Sequence, residues 1–288
     1  MTHRSRELTV LAIAAASLAL LYHDVLRKLV DAWTNDGNYS HGFLIVPLAA
    51  YFAWERRDRL LKAARQPSAL GLFVVAGSLA VLVVGILGSE LFLTRISLVG
   101  ALAGSLLFLF GWPVIRILAF PLGILLLMIP LPAIIFNQIT FPLQLWASEF
   151  GEFVLNTSRI PVLREGNVLI LANTTLEVAE ACSGIRSLIS LLTLGIVFGY
   201  FTDPRPPVRT LIALSTIPIA ILANGLRVAG TGIAAHHFGS AAAEGFFHEF
   251  SGWLLFVVAF ALLALVQRLI ISSIPAPPIF AKAEAAAA

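Results

Sequence analysis

The sequence predicts an all-α polytopic membrane protein: about eight transmembrane helices, one interfacial or re-entrant helix and a small outer β-hairpin. Three observations carry this. The 288 residues are 59% hydrophobic and only 12% charged, where soluble domains carry about twice that charged fraction. Apolar runs close to twenty residues, the length of a helix that crosses a bilayer, recur along the chain. The Lys and Arg residues gather in short clusters between those runs, which is a topology signal.

The first apolar run, from about Leu8 to Tyr22, follows His3, Arg4 and Arg6. A cleaved signal peptide is the alternative reading, with small residues at Ala14, Ala15 and Ala16. The run continues past those residues, which favours an uncleaved first helix. Spans are expected near 8–26, 42–55, 69–88, 92–111, 114–130, 183–201, 209–228 and 246–270. The stretch 131–158 is apolar but carries Pro132, Asn137, Gln138, Pro142, Glu149 and Glu152, and fits an interfacial or re-entrant helix better than a span. Residues 1–274 then form one membrane-embedded domain. The tail 275–288, rich in Pro and Ala, is expected to be disordered.

With the N-terminus inside, Arg56, Arg57, Arg59, Lys62 and Arg65 fall in the first cytoplasmic loop. Arg116, Arg205 and Arg209 fall in later ones, and Arg4, Arg6, Arg268 and Lys282 at the two cytoplasmic ends, so 12 of the 19 basic residues lie inside. Both termini are cytoplasmic in this arrangement. The net charge of +3 gives no sign of a nucleic-acid partner, and a single cysteine excludes an internal disulfide.

Between Ile160 and Ala181 the pattern changes to strands. Val168-Leu169-Ile170-Leu171 and Leu176-Glu177-Val178 alternate around the turn signals Glu165-Gly166-Asn167 and Asn173-Thr174-Thr175. This predicts an antiparallel hairpin of two or three strands on the outer surface. It serves either as a lid over polar helix ends or as a sheet edge that receives an extended peptide.

Cys182 follows at once, in Glu180-Ala181-Cys182-Ser183-Gly184-Ile185-Arg186. Ser183 is an N-cap candidate for the next helix. The helix dipole and Arg186 one turn on both favour the thiolate, lowering the thiol pKa toward neutrality. Glu180 opposes this unless it pairs with Arg186. Taken alone, this setting leaves a nucleophile and an inert buried thiol both open.

Two distant segments reach the same outer level: Asn224-Gly225-Leu226-Arg227 ends the seventh span and His248-Glu249 begins the eighth. An Arg there can simply snorkel to the interface, and a His can be a solvated cap. Together with a Cys, however, the His makes an activated-nucleophile pair and the guanidinium an oxyanion stabiliser. Glu180 or Glu249 is placed to orient His248. Asn224 either orients a catalytic group or satisfies a helix end. His41, with Asp36, lies at the outer start of the second span, in a substrate-contact or a capping role. His236 and His237 are assigned to an outer loop, without the spacing of a metal site. No cofactor motif is present.

The segments LEVAEACSGIRSL (176–188), NGLRV (224–228) and HEFSGW (248–253) resemble the three signature segments of the exosortase/archaeosortase family. NYSHGFLIVPL (38–48), IPLP (129–132) and IPVLREGN (160–167) resemble further segments of bacterial exosortases, in family order. The resemblance implies a membrane cysteine protease or transpeptidase of Gram-negative envelopes. Such an enzyme processes secreted proteins that end in a Pro-Glu-Pro type motif, a transmembrane helix and a basic cluster. It further implies Cys182 as nucleophile, Arg227 as the stabilising Arg and His248 as general acid/base, with Arg186 tuning the thiol or binding substrate. The expected partners are those secreted proteins and membrane lipid; an accessory membrane or periplasmic protein would be a separate chain. The competing function class is a non-catalytic transporter or a scaffold gripping anionic lipid through Arg186 and Arg227. The absence of an internal repeat argues against it.

Overall fold

The computed structural model describes residues 3–172, 174–178, 185–239 and 246–274. It is a helical membrane protein with a small three-stranded sheet. Among the described residues five helices are long and apolar enough to cross a bilayer, or six if Trp112–Met128 and Ala133–Thr157 make one broken span. The chain divides into two compact units, Met1–Ala133 and Ile134–Ala288.

The first unit opens with α1 (His3–Leu21) and α2 (His23–Asn35). The span expected to run to residue 26 thus stops at Tyr22, which is fully buried, and a separate amphipathic helix follows. Its buried residues, Val25, Leu29 and Trp33, recur every four positions, while His23, Asp24, Arg27, Lys28 and Asp31 are exposed. That pattern belongs to a helix lying at an interface. Helix α3 (Gly42–Glu55) is apolar but only 14 residues long, and the short α4 (Arg57–Lys62) carries the basic cluster. Three arginines in and around α4 rest on aromatic rings: Arg57 lies 4.2 Å from the Trp54 ring centroid, while Arg56 and Arg65, on either side of the helix, lie 5.6 Å from Phe120 and Phe110. Guanidinium groups over aromatic faces suit the rim of a membrane.

Helices α5 (Leu70–Leu87) and α6 (Leu91–Phe110) form a tight hairpin. A side chain at Gly104 would meet the Val75 backbone nitrogen at 2.9 Å, and one at Gly100 the Ser78 hydroxyl at 2.6 Å. These two glycines, four apart, let the helix backbones approach as small residues do in membranes. Gly111 turns the corner into α7 (Trp112–Ile124): its φ is +81° and a Cβ would lie 1.8 Å from the Gln66 carbonyl oxygen, so glycine alone fits.

Helix α7 tightens into a 3₁₀ turn, Leu125–Met128, before Ile129-Pro130-Leu131-Pro132. The prolines cannot continue the helix, so backbone groups at its end are left without helical partners. Side chains from around the α2–α3 connection supply them. Trp33 Nε1 donates to the Met128 carbonyl (2.9 Å), His41 Nε2 donates to the Leu127 carbonyl (3.1 Å), and the Leu131 amide donates to the Tyr39 hydroxyl (3.2 Å).

In the second unit, the stretch expected to form an interfacial or re-entrant helix is one 25-residue helix, α8 (Ala133–Thr157), bent 78° from the helical segment Trp112–Met128. The strands β1 (Val162–Glu165), β2 (Val168–Leu171) and β3 (Thr175–Glu177) pair antiparallel in sequence order. Gly166, with φ +64°, and Asn167 make the two-residue β1–β2 turn, Gly taking the position that a II′ turn reserves for it. The sheet is fastened to α8 by Ser148, which donates to the Gly166 carbonyl (2.9 Å), and by the Arg164–Glu152 ion pair (2.7 Å). Ala147, Leu155, Leu169, Leu171 and Val178 form the core between them.

Helices α9 (Ile185–Thr202), α10 (Pro206–Phe238) and α11 (Phe246–Ser273) pack as a bundle around Leu191, Ile212, Ala220, Ala223, Ala259 and Leu263. Arg205 lies in the loop between α9 and α10 and is buried there. It is 8% exposed, grips Asp203 through Nη2 (2.7 Å) and Nε (3.0 Å), and donates through Nη1 to the Ile274 carbonyl (2.6 Å). The α9–α10 corner is thereby tied to the end of α11.

Two predictions follow from this packing. A Cβ at Gly42 would stand 2.2 Å from Nε1 of the Trp33 indole, which is held in place by Met128. Gly42→Ala therefore costs about 1–3 kcal/mol, seen as a lower Tm in detergent, and Trp33→Ala on that background costs less than it does alone. Arg205 holds the Asp203 carboxyl below its ordinary range, against the opposing effect of burial. Its stabilisation is complete above the unfolded carboxyl pKa, near 4, and is lost as pH falls through the folded value. Asp203→Asn should lower Tm by several degrees at pH 7, and the gap to wild type should close as the pH is taken below about 4.

Candidate functional site

The residues singled out by sequence separate into three groups. Glu180, Cys182 and Ser183, like the tail 275–288, lie outside the described residues. His41 belongs to the first unit, where it closes the end of the 3₁₀ turn. Burial lowers its pKa, so at neutral pH the ring is uncharged, with its proton on Nε2 toward Leu127. The remaining residues are on the bundle of the second unit.

Helix α10 is the axis of that site. Its 33 residues make it about 50 Å long, well beyond the roughly 30 Å of a hydrocarbon core. Arg227 stands 21 residues after Pro206, about 31 Å along the axis from the Asp203–Arg205 corner, a distance close to the thickness of a hydrocarbon core. The expected end of the span at 228 is corrected: the helix continues through small and apolar residues to Phe238. It stops only at Gly239 (φ +85°), whose amide bonds back to the Ala235 carbonyl. His236 and His237 accordingly sit in its last turn rather than in a loop. Among the described residues no three metal-ligating groups gather.

Arg227 lines a narrow cleft, with room for water of about 20 Å³, between the first turns of α9 and α11 and the middle of α10. Ser187 enters from the first turn of α9, Asn224 and Arg227 from α10, and Gly252 from α11. Ala220, Ala223, Phe256 and Ala259 close its apolar floor. The guanidinium lies against Gly252, where a Cβ would sit 3.5 Å from Nη2 and 3.6 Å from Cζ. Asn224, one turn before Arg227, is 6% exposed. Position 248 falls in the first turn of α11, four residues before Gly252, and residues four apart share a helix face. Arg186, by contrast, is exposed in the first turn of α9 and is not part of the cleft wall.

The structure thus brings Arg227 and Asn224 together, sets the α11 turn that carries His248 one turn from the guanidinium, and separates Arg186 from them. Sequence reasoning missed Ser187 and Gly252. The signal for Gly252 was its four-residue spacing from His248; that for Ser187 was its place in the same helical turn as Arg186. The α8 helix supports α10 from behind. A Cβ at Gly225 would meet Phe150 at 2.8 Å, one at Gly232 would meet Leu155 at 2.9 Å, and one at Gly151 would meet Val228 at 2.9 Å.

The arrangement offers a cation, an amide and a hydroxyl lining one cleft, with apolar residues that keep the local dielectric low. Such a cleft can hold a developing negative charge.

A comparison with protein families matches residues 33–265 to the transmembrane exosortases, across all three signature segments. No curated protein and no solved structure matches the chain. The match covers most of the chain, and the chain belongs to the transmembrane exosortase family, membrane proteins that act in the processing of sorting signals.

Proposed function

We propose that the protein is a thiol-dependent processing enzyme that cleaves the C-terminal sorting signal of secreted proteins through a Cys182 thioester. The observation that carries this is the cleft in which Ser187, Asn224, Arg227 and Gly252 converge. It gathers the first turn of the helix that follows Cys182, the Arg227 turn, and the helix whose first turn carries His248. Cys182 precedes Ile185 by three residues, a tether of at most about 11 Å.

The steps follow from the chemistry of these groups. The substrate's transmembrane helix docks laterally, with its Pro-Glu-Pro type motif at the membrane boundary. His248 takes the thiol proton, and the thiolate adds to the scissile carbonyl. Arg227 stabilises the oxyanion of the tetrahedral intermediate, and Asn224, one turn away, supplies a further polar group to the same cleft. Collapse of the intermediate breaks the C–N bond, and His248 protonates the leaving amine. Water or an amine-bearing acceptor then resolves the thioester. The site is assigned to the periplasmic face of the inner membrane with both termini cytoplasmic. Arg56, Arg57 and Arg65, stacked on aromatic rings, supply the inside charge.

Co-expression with a secreted protein bearing such a signal tests the reading. Cys182→Ala should leave the substrate full length while the enzyme still accumulates in the membrane. Equal processing by this variant would remove the thiol mechanism and leave an anion-binding scaffold as the better account. Arg227→Lys should retain the charge but lose the planar fork, lowering the rate by about 10²–10³-fold, and His248→Ala by about 10²–10⁴-fold. Gly252→Ala should be tolerated, since its Cβ makes ordinary contact with the guanidinium, whereas Gly252→Leu should displace Arg227 and lower the processing rate at an unchanged Tm.

A further inference from the structure

The three-stranded sheet has two edges, and only one leads to the thiol. Its hydrogen-bond register identifies the groups on that edge. Leu171 N donates to the Thr174 carbonyl (2.8 Å) and Val178 N to the Asn167 carbonyl (2.9 Å). In an antiparallel ladder, bonded and non-bonded pairs alternate. Leu169 and Leu176 are therefore a bonded pair, while Val168 with Glu177 and Ile170 with Thr175 are the non-bonded ones. The N–H and C=O groups of Thr175 and Glu177 consequently point away from β2, toward the open side. Both residues are exposed, while Leu176 between them packs against the core shared with α8.

The end of β3 is also well anchored. Asn167 accepts the Val178 amide through its backbone and donates to the Val178 carbonyl through Nδ2 (3.2 Å). Val178 itself is 2% exposed. The strand is thus held rigidly from behind while its front edge presents two N–H and two C=O groups at a two-residue spacing. Only another extended backbone matches that spacing. On the opposite edge, β1 presents Val162 and Arg164, 20 and 18 residues before Cys182, and the Arg164 side chain is committed to Glu152. Glu177 precedes Cys182 by only five residues, a span of at most about 18 Å.

We infer that the β3 edge is the substrate-holding element. An extended segment of the substrate, just N-terminal to its cleavage motif, pairs with the backbone of Thr175 and Glu177 as a fourth strand, and this delivers the scissile bond to Cys182. The inference rests on the processing function proposed above. Recognition is by main-chain hydrogen bonds and so is tolerant of sequence at the paired residues.

Proline tests it from the enzyme's side. At Thr175 or Glu177, proline removes an outward N–H and spares the ladder to β2, since edge positions tolerate it. Thr175→Pro and Glu177→Pro should each lower processing more than 10-fold, with Cys182 alkylation by a maleimide unchanged, while Thr175→Ala and Glu177→Ala process as wild type. The substrate's side is tested on unaltered enzyme in detergent. The probe is a synthetic peptide with a Pro-Glu-Pro motif and its following apolar helix, N-methylated at one amide at a time upstream of the motif. Loss of cleavage at alternate positions is the expected result, and it stands even if a proline variant fails to accumulate. Wild-type processing by both proline variants, or N-methyl effects without a period of two, overturns the inference while leaving the Cys182 reading intact. No cleavage of the unmodified peptide by wild type overturns both.

Discussion

Backbone hydrogen bonding in a place without water is the constraint on which the rest of this structure depends. In a hydrocarbon core an unpaired N–H or C=O costs several kcal/mol, so each irregular segment must bring its own partners. The first unit shows how. The two prolines of Ile129-Pro130-Leu131-Pro132 end a helix, and Trp33, Tyr39 and His41 converge on the backbone groups released there. Those three side chains come from the segment 33–41, so the Asn38-Tyr39-Ser40-His41 motif has a structural task in this unit. The uncharged state of His41 suits it: a ring with one proton donates to a carbonyl without placing a charge in a buried position.

The same constraint explains the Asp203–Arg205 corner. The connection between α9 and α10, with Pro204 inside it and Pro206-Pro207 opening α10, leaves few helical partners, and Arg205 satisfies Asp203 and the Ile274 carbonyl at once. Removing one member of such a pair leaves the other buried and uncompensated. The corner fixes one end of the three-helix bundle, and the cleft opens about one bilayer thickness away along α10. Rigidity at one end and a cleft at the other are consistent with small residues along the contacts of α10. Gly195 faces Thr216, and Gly225 and Gly232 face α8.

Much of this was legible in the sequence because hydropathy reports the presence of a helix well. The α5–α6 hairpin, the bundle and the position of the strands follow from apolar run length and period-two alternation. Helix ends were less legible. The span ending at 228 was drawn to bilayer thickness, but α10 runs on through Gly230 and Gly232 to Phe238, and a helix is free to continue beyond the membrane. Helix α2 was overlooked because its apolar residues, Val25, Leu29 and Trp33, are diluted among five charged or titratable ones, and a run-length criterion ignores a four-residue period. The burial of Arg205 in its loop was not legible because nothing in a linear sequence says that Asp203 folds back onto it. Arg227 and Asn224 were placed together by their spacing, whereas the contribution of Gly252 depends on which helix faces the guanidinium.

That last contact explains how a charged group is accommodated at this depth. A guanidinium is wide and flat, and a close-packed helix trio has no room for one. Ala220, Ala223, Gly252 and Ala259 all withhold side-chain volume around the same cleft, and Gly252 does so at the Arg227 guanidinium itself. The opening created by small residues lets the cation lie between helices instead of snorkelling outward. There the low dielectric of the apolar floor strengthens its field on any nearby anion. Arg227 is half-buried at this cleft, whereas Arg186 is exposed, where surrounding water weakens its field. The physical distinction between these two arginines is therefore burial.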